Sequence, residues 1–291
     1  MTTVVALRQA AETEAARLPA LLARADHLAA TVLLGTHGRR RSGLGDDFWQ
    51  YRAMRPGDSY RSIDWRRSAR GDAQYVRERE WQIAQSILLW LDRGASMRFS
   101  SAKTLPEKAD RARLLILATA ILLLRGGERV GLTGWSLPPR RGDVQILRLA
   151  EAFASDSTED YAQPEARGML PHARAVFVSD FLGDLTPIEA ALAKAADRGV
   201  RGVLLQVLDP AEEAFPFAGR TIFDSVGRTV SHETLKATDL KDAYLRRLAE
   251  RKDTLSRLCR QAGWQFNTHH TGDSAQSALL WIYRALDGSH G

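Results

Sequence analysis

The pattern of hydrophobic positions divides the first 80 residues into three stretches. In the first 34 residues apolar side chains recur at helical spacing, most clearly between Leu18 and Leu28, and predict an N-terminal helix. Residues 35–45 contain four glycines, which excludes a regular helix or strand there. Residues 46–80 mix aromatic and charged side chains, so we expect short strands and loops that pack against the domain that follows.

From residue 85 onward, apolar runs and helical patterns alternate. This alternation is typical of an α/β fold with a mostly parallel sheet and helices on both faces. We therefore expect an N-terminal region over residues 1–80 and an α/β domain over residues 81–291. The predicted strands cover residues 86–92, 129–135, 173–180, 200–209 and 263–270, with an edge strand at 220–225, and the predicted helices cover 106–124, 143–153, 187–198, 238–262 and 274–286.

Three of the predicted strands end in an aspartate. Asp92, Asp180 and Asp209 each close a buried apolar run. In parallel α/β sheets, ligands bind outside the carboxyl ends of the strands. These positions therefore mark the edge where we expect a binding site, with Asp92 and Asp180 on neighbouring strands.

Composition narrows the class of protein. The 291 residues, 44% hydrophobic and 26% charged, are typical of a globular protein with one large or two modest domains. The single cysteine, Cys259, fits a reducing compartment and is expected in the core. The longest apolar run, residues 114–124, is about half as long as a membrane span, and no N-terminal leader is recognised. We therefore expect a cytoplasmic protein without a membrane span.

A dense motif precedes the first strand of the α/β domain. It begins at Gly38 and contains an acid–Phe pair at Asp47, an Arg-Pro-Gly-Asp turn from Arg55, an Arg-x-Ile-Asp-Trp block from Arg61 and a Ser-Ala-Arg block from Ser68. This ordered series, residues 38–81, is called the signature segment below. It resembles the signature of a bacterial family named domain of unknown function fifty-eight, and the resemblance continues to the C-terminus.

The resemblance implies a fold and a partner. The fold is a von Willebrand factor A-like domain, Rossmann-like in architecture, placed after the signature segment. The usual partner of such proteins is a MoxR-type AAA+ ATPase, and the molecular activity of the family is undefined. We therefore expect a non-enzymatic adaptor for such an ATPase, with an unidentified client.

The charged residues of the signature segment have two interpretations. In one, they form a partner-binding face. In the other, they form an ion-pair network that pins the segment to the α/β domain, with Phe48 and Trp65 as buried anchors. The residues concerned are Arg55, Asp58, Arg61, Asp64 and Arg70.

The resemblance also marks a candidate metal site. Von Willebrand A domains bind Mg²⁺ through a D-x-S-x-S motif after the first strand, completed by a later threonine and aspartate. The matching positions here are Asp92, Gly94, Ser96, Thr158 and Asp180, with Ser157 as a substitute for Thr158. Gly94 replaces the first serine and removes one ligand oxygen, and we expect the adaptor to act through this degenerate metal-ion adhesion site.

We expect Mg²⁺ binding at this degenerate site to be weak or absent. One ligand is missing, and Arg93 adds a positive charge beside the site. Gly94→Ser would then restore the missing hydroxyl. In the alternative interpretation, Asp92 and Asp180 only accept hydrogen bonds from nearby backbone N–H groups.

Two other function classes stay open. A metal-dependent hydrolase could use Asp92 and Asp180, although no nucleophile–base pair, phosphate-binding glycine loop or histidine–carboxylate metal motif is recognised. His269 and His270 are adjacent and point to opposite faces of a strand. A nucleic-acid-binding protein would fit the net charge of +6 and the pI of about 9.7, but no nucleic-acid-binding module is recognised, so nucleic acid is not an expected partner.

Overall fold

The computed structural model divides the chain into two compact units. It describes residues 18–32, 40–43, 47–56, 58–69, 71, 73–82, 84–157, 159–165, 168–219, 221–224, 231–234 and 238–287. The smaller unit is Thr36–Gln85, and the larger unit combines Met1–Gly35 with Ser86–Gly291. This division groups the N-terminal helix with the α/β domain, whereas the sequence pattern grouped that helix with the signature segment.

The helices and strands follow one another along the chain in close agreement with the hydrophobic pattern. The helices are α1 (residues 18–30), α2 (Trp65–Ser68), α3 (Lys108–Arg125), α4 (Asp143–Ala154), α5 (Thr186–Asp197), α6 (Pro210–Ala214), α7 (Thr238–Gln261) and α8 (Ala275–Asp287). The strands are β1 (Arg40–Gly43), β2 (Asp47–Ala53), β3 (Tyr75–Gln82), β4 (Ser86–Leu91), β5 (Arg129–Leu132), β6 (Arg174–Ser179), β7 (Arg201–Leu208), β8 (Thr221–Asp224), β9 (Ser231–Thr234) and β10 (Gln265–His270).

A five-stranded parallel sheet forms the centre of the larger unit. Its strands lie in the order β10-β7-β6-β4-β5, and every neighbouring pair is parallel. Short apolar runs that are rich in Val and Leu form these strands because a sheet covered on both faces needs apolar side chains on both. The predicted α/β class with a parallel sheet is confirmed.

Helices cover both faces of this sheet. Ile87 and Leu89 on β4 belong to a buried cluster that includes residues of α1, α3, α4 and α8. Leu88 and Trp90, which alternate with them, belong to a second cluster with residues of α5 and α7. Cys259 on α7 lies in that second cluster and is fully buried, as expected for a core cysteine.

The order of the strands reverses around β4. β5 pairs with one side of β4, whereas β6, β7 and β10 are added on the other side. At such a reversal the connections after the two central strands diverge and leave a crevice at the carboxyl edge. Asp92 directly follows β4 and Asp180 directly follows β6, so both lie at this point on neighbouring strands, as predicted.

The smaller unit contains a three-stranded antiparallel sheet in the order β1-β3-β2. The predicted turn at Arg55 is present. The backbone N–H of Asp58 donates to the Arg55 carbonyl over 3.1 Å, and the Asp58 carboxylate accepts from the Arg55 N–H over 2.7 Å. The side chain of Asp64 caps the N-terminus of α2 by accepting from the Arg67 N–H over 3.1 Å.

Three expectations are corrected by the structure. The four glycines of residues 35–45 do not exclude a strand, because β1 occupies Arg40–Gly43. Trp65 is 59% exposed, so its expected role as a buried anchor is wrong; the side chain of Phe48 lies outside the described residues. The strand expected at residues 220–225 is not an edge of the parallel sheet, because β8 pairs with β9 in a separate antiparallel hairpin. Among the described helices, none has the length and apolar character required to cross a bilayer.

Candidate functional site

Every strand of the parallel sheet is followed directly by a buried polar residue. These residues are Asp92 after β4, Thr133 after β5, Asp180 after β6, Asp209 after β7 and Thr271 after β10. A buried polar group is costly unless it is hydrogen-bonded. The hydrogen-bond donors around the three aspartates therefore show whether their carboxylates are free to bind a ligand.

Asp92 is a hydrogen-bond acceptor for two connecting loops. Its Oδ1 accepts from the N–H of Gly94 over 2.7 Å and from the N–H of Ala162 over 3.2 Å. Its Oδ2 accepts from the Ser179 hydroxyl over 2.7 Å. Burial raises the pKa of Asp92, and the Ser179 hydrogen bond opposes this while the charge of Asp180 adds to it. Asp92 thus ties the loop after β4 to residues 162 and 179.

Asp180 is paired with a lysine that the sequence analysis did not single out. Lys108, the first residue of α3, donates from Nζ to Asp180 Oδ2 over 2.9 Å. The same Nζ donates to Glu212 Oε1 on α6 over 2.7 Å. Lys108 and Asp180 are 1% and 0% exposed, so this ion pair is shielded from water. The second oxygen of Asp180 accepts from the Leu182 N–H over 3.1 Å.

Asp209 begins α6 with a capping box. Its Oδ1 accepts from the Ala211 N–H over 2.8 Å, and its own N–H donates to Glu212 Oε2 over 2.7 Å. Its Oδ2 accepts from the Ser101 N–H over 2.9 Å. Glu212 therefore caps a helix with one oxygen and binds Lys108 with the other. We call Asp92, Lys108, Asp180, Asp209 and Glu212 the carboxyl-edge cluster.

Burial and the opposite charges of the cluster act against each other on the pKa values of Lys108 and Glu212. Burial raises the pKa of Glu212, and the ammonium of Lys108 opposes that rise. For Lys108, burial by itself would lower the pKa, but the charges of Asp180 and Glu212 and their hydrogen bonds more than compensate. The net pKa of Lys108 is raised, so the lysine is a stable cation within the cluster.

The structure describes Arg93 and Ser96 of the candidate metal site. The guanidinium of Arg93 donates to the Ala152 carbonyl over 2.9 Å and to Ser155 Oγ over 2.8 Å, at the end of α4. The hydroxyl of Ser96 is buried and has no hydrogen-bond partner. Thr158 lies outside the described residues.

Gly94 leaves no room for the side chain that the metal motif would need. A Cβ at this position would lie 2.6 Å from the Asp160 carbonyl oxygen, 2.9 Å from Asp92 Oδ1 and 3.0 Å from the Ala162 nitrogen. A serine at position 94 could present its hydroxyl only if this loop shifted, which opposes the expectation that Gly94→Ser simply restores a ligand. The missing hydroxyl belongs to a loop that is packed too closely to hold it.

These donors and acceptors do not fit a divalent cation. Mg²⁺ requires a near-octahedral set of oxygen ligands. Both oxygens of Asp92 accept hydrogen bonds from this chain, and Asp180 binds the ammonium of Lys108. Of the predicted ligands that the structure describes, only Ser96 has an unpartnered hydroxyl, and the hydroxyls of Thr133 and Thr271 at the same edge are also buried without a partner. Within the described residues, no group of three His, Cys, Asp or Glu side chains is arranged to hold a metal ion.

The signature residues act locally within the smaller unit. Asp58 closes the turn and Asp64 caps α2, as described above. Arg55 and Arg61 are exposed, and Arg70 lies outside the described residues. The guanidinium of Arg67 lies over the ring of Tyr51, 4.4 Å from its centroid. Both interpretations of these charges stay predictions.

The two adjacent histidines have different partners. Arg111 lies 3.0 Å from Nε2 of His269, which is buried, and His270 pairs with Glu213. Burial, aided by the charge of Arg111, lowers the pKa of His269 to about 4. The separate partners agree with the prediction that the two rings point to opposite faces of the strand.

Lys108, Ser179 and Glu212 are the site residues that sequence reasoning missed. The sequence does contain one local indication of the role of Lys108. A cation in the first turn of a helix opposes the helix dipole, so a lysine at that position indicates a nearby acidic partner. Glu212 could have been recognised as well, because Asp209 and Glu212 have the spacing of a capping box. Ser179 directly precedes Asp180, but it lies inside an apolar run, and nothing in the sequence distinguishes its hydroxyl as a partner of Asp92.

Comparison with known proteins identifies the family of this chain. A family model described as "Protein of unknown function DUF58" matches residues 50–254. The chain belongs to the DUF58 family. The DUF58 chain is 28% identical over 250 residues to uncharacterized protein Mb1516 of Mycobacterium bovis and to uncharacterized protein Rv1480 of Mycobacterium tuberculosis H37Rv. Each match covers 80% of this chain and 77% of the relative.

Solved structures give weaker likenesses. The conserved hypothetical protein BatB from Bacteroides thetaiotaomicron matches with a TM-score of 0.45 at 14% identity, covering 71% of this chain and 100% of that protein. An aerotolerance-related membrane protein from Bacteroides fragilis matches with a TM-score of 0.43 at 15% identity, covering 70% of this chain and 100% of that protein. Likenesses of this size do not define the fold or the function of the DUF58 chain.

Proposed function

We propose that this DUF58 protein is a non-enzymatic adaptor of the cytoplasm that couples a MoxR-type AAA+ ATPase to a client protein. In this proposal its larger unit is a von Willebrand factor A-like domain. One observation carries the proposal: the strand-end aspartates Asp92, Asp180 and Asp209 direct their carboxylates to donors of this same chain. Because these carboxylates are engaged within the chain and hold loops in place, the proposal gives them a structural role and not a catalytic one.

The described part of the signature segment supplies a second support. Tyr60 is 70% exposed and Trp65 is 59% exposed, and the neighbouring Arg61 is exposed as well. Tyr, Trp and Arg are the residue types that contribute most to protein–protein binding energy. Asp58 and Asp64 have structural roles in the turn and the helix cap. The partner face proposed here is therefore aromatic and basic, and it suits an acidic surface on the ATPase.

Binding between the two purified proteins tests the proposal. The DUF58 chain is immobilised, and a MoxR-type ATPase from the same genome is titrated over it by biolayer interferometry. The double variant Tyr60→Ala/Trp65→Ala should weaken binding about 30-fold or more, as expected when two anchor residues are removed. Val144→Ala is the matched control, because Val144 is also an exposed apolar residue, on α4 of the larger unit. It should bind like the wild type.

Three outcomes would contradict the proposal. The first is the absence of binding between wild-type chain and ATPase. The second is substrate turnover by the purified chain that stops on chelation, which would favour the hydrolase alternative. The third is DNA affinity that falls steeply with salt, which would favour a nucleic-acid-binding protein.

A further inference from the structure

Lys108 occupies a position that is unfavourable for a cation unless it has strong partners. It is the first residue of α3, where the helix dipole presents its positive end, and its side chain is 1% exposed. Removing an ammonium group from water costs several kcal/mol unless an opposite charge compensates it. The environment of this one side chain must therefore provide that compensation.

Two carboxylates from two different connections provide it. Asp180 follows β6 and Glu212 lies on α6 after β7, and both accept from Nζ of Lys108 at 2.9 and 2.7 Å. The ring of Phe99 lies 5.7 Å from the same Nζ and offers its electron-rich face. Lys108 thus lies at the point where the connections after β4, β6 and β7 meet.

We propose that Lys108 is a built-in cation that takes the place of a divalent metal at the carboxyl edge of the sheet. The ammonium group does what a bound metal ion would do there: it neutralises buried carboxylates and joins neighbouring loops. The site therefore holds its loops without Mg²⁺. The raised pKa of Lys108 agrees with this role.

The inference rests on the geometry of the larger unit. It goes beyond the proposed function, because it concerns how the larger unit is held together and not which partner binds. Its test uses no partner protein, so a failed metal test and a failed binding test are separate results.

The test compares thermal unfolding of the wild type and of Lys108→Ala, each with EDTA, MgCl₂ or MnCl₂ alone, together with calorimetric titration of the same salts. The wild-type midpoint should move by less than about 1 °C among these conditions, because no metal binds the folded state selectively. Lys108→Ala should melt at a lower temperature in EDTA, since Asp180 and Glu212 lose their cation. Mn²⁺ should then raise its midpoint by about 5 °C or more and bind with a stoichiometry of one.

Two further variants keep the test decisive. Lys252→Ala removes another lysine that pairs with a carboxylate, that of Glu213, outside the carboxyl-edge cluster, and it should show no metal response. The triple variant Lys108→Met/Asp180→Asn/Glu212→Gln carries no unpaired charge, and it should fold without metal and ignore Mn²⁺. If Lys108→Ala is unfolded in EDTA, refolding from denaturant should succeed only with Mn²⁺.

Three results would overturn the inference. Stoichiometric Mg²⁺ or Mn²⁺ binding by the wild type that Asp180→Asn abolishes would show that the site takes a metal despite Lys108. Lys108→Ala that folds but gains no metal response, or that Mn²⁺ does not rescue in refolding, would show that the ammonium does not stand in a cation site. A triple variant as unstable as Lys108→Ala would show that charge compensation is not the role of this lysine.

Discussion

Gly94→Ser is the sharpest perturbation that the structure offers. From the sequence it restores a metal ligand, whereas the structure shows a collision with the Asp160 carbonyl oxygen at 2.6 Å. That oxygen accepts the Ser96 N–H over 2.9 Å, so relieving the collision also disturbs a hydrogen bond of the loop. Inserting atoms into a packed site costs about 1–3 kcal/mol, and a weakened hydrogen bond adds about 1 kcal/mol. We expect a total loss of about 2–4 kcal/mol.

Equilibrium unfolding in urea measures this loss. Gly126→Ser is the control, because Gly126 has an ordinary φ of −72° and a Cβ there would have its nearest neighbour at 3.4 Å. The control should lie within about 0.5 kcal/mol of the wild type. Equal stability of the Gly94 and Gly126 variants would refute the steric argument. A gain of Mg²⁺ affinity in Gly94→Ser without loss of stability would favour the ligand interpretation instead.

Two further predictions concern side chains elsewhere in the chain. Trp65→Ala should cost less than about 1 kcal/mol in chemical denaturation because Trp65 is exposed, whereas Ile63→Ala, which removes a side chain that is 6% exposed, should cost about 2–4 kcal/mol; equal costs would contradict this. His269 is held neutral by a pKa of about 4, below the unfolded value of 6.5, so the unfolded chain binds the additional proton between these two values. The stabilisation from His269 should be present above pH 6.5 and lost as pH falls toward 4, by about 2 kcal/mol between pH 7 and pH 5. His269→Gln should lack this part of the pH dependence in urea unfolding, and parallel pH profiles of the two proteins would contradict the assignment.

The sheet and the placement of its acids could be predicted because their signals are local. A run such as residues 86–91 is apolar, short and bounded by polar residues, and these properties identify a buried strand without any partner. The alternation of strands and helices does not by itself make β4 and β6 neighbours, because β5 lies between them in the chain. The placement of Asp92 and Asp180 was expected because both end buried apolar runs and match the metal motif of the family that the sequence resembles. The structure confirms that placement.

The partners of the acids could not be predicted because they depend on long-range packing. Arg93 is adjacent to Asp92 in sequence, yet its guanidinium binds the end of α4. Lys108 is 72 residues from Asp180 and yet binds it. The exposure of Trp65 could not be predicted either. An aromatic residue in a charged segment can be buried or exposed, and its hydrophobicity alone does not distinguish the two.

The contacts of Lys108 also constrain how the larger unit folds. Its ion pairs span 72 and 104 residues of chain, so they exist only where the connections after β4, β6 and β7 lie together. A chain in which this lysine has reached both carboxylates is one in which β4, β6 and β7 already lie side by side, so the integrity of the cluster reports the completed assembly of the sheet.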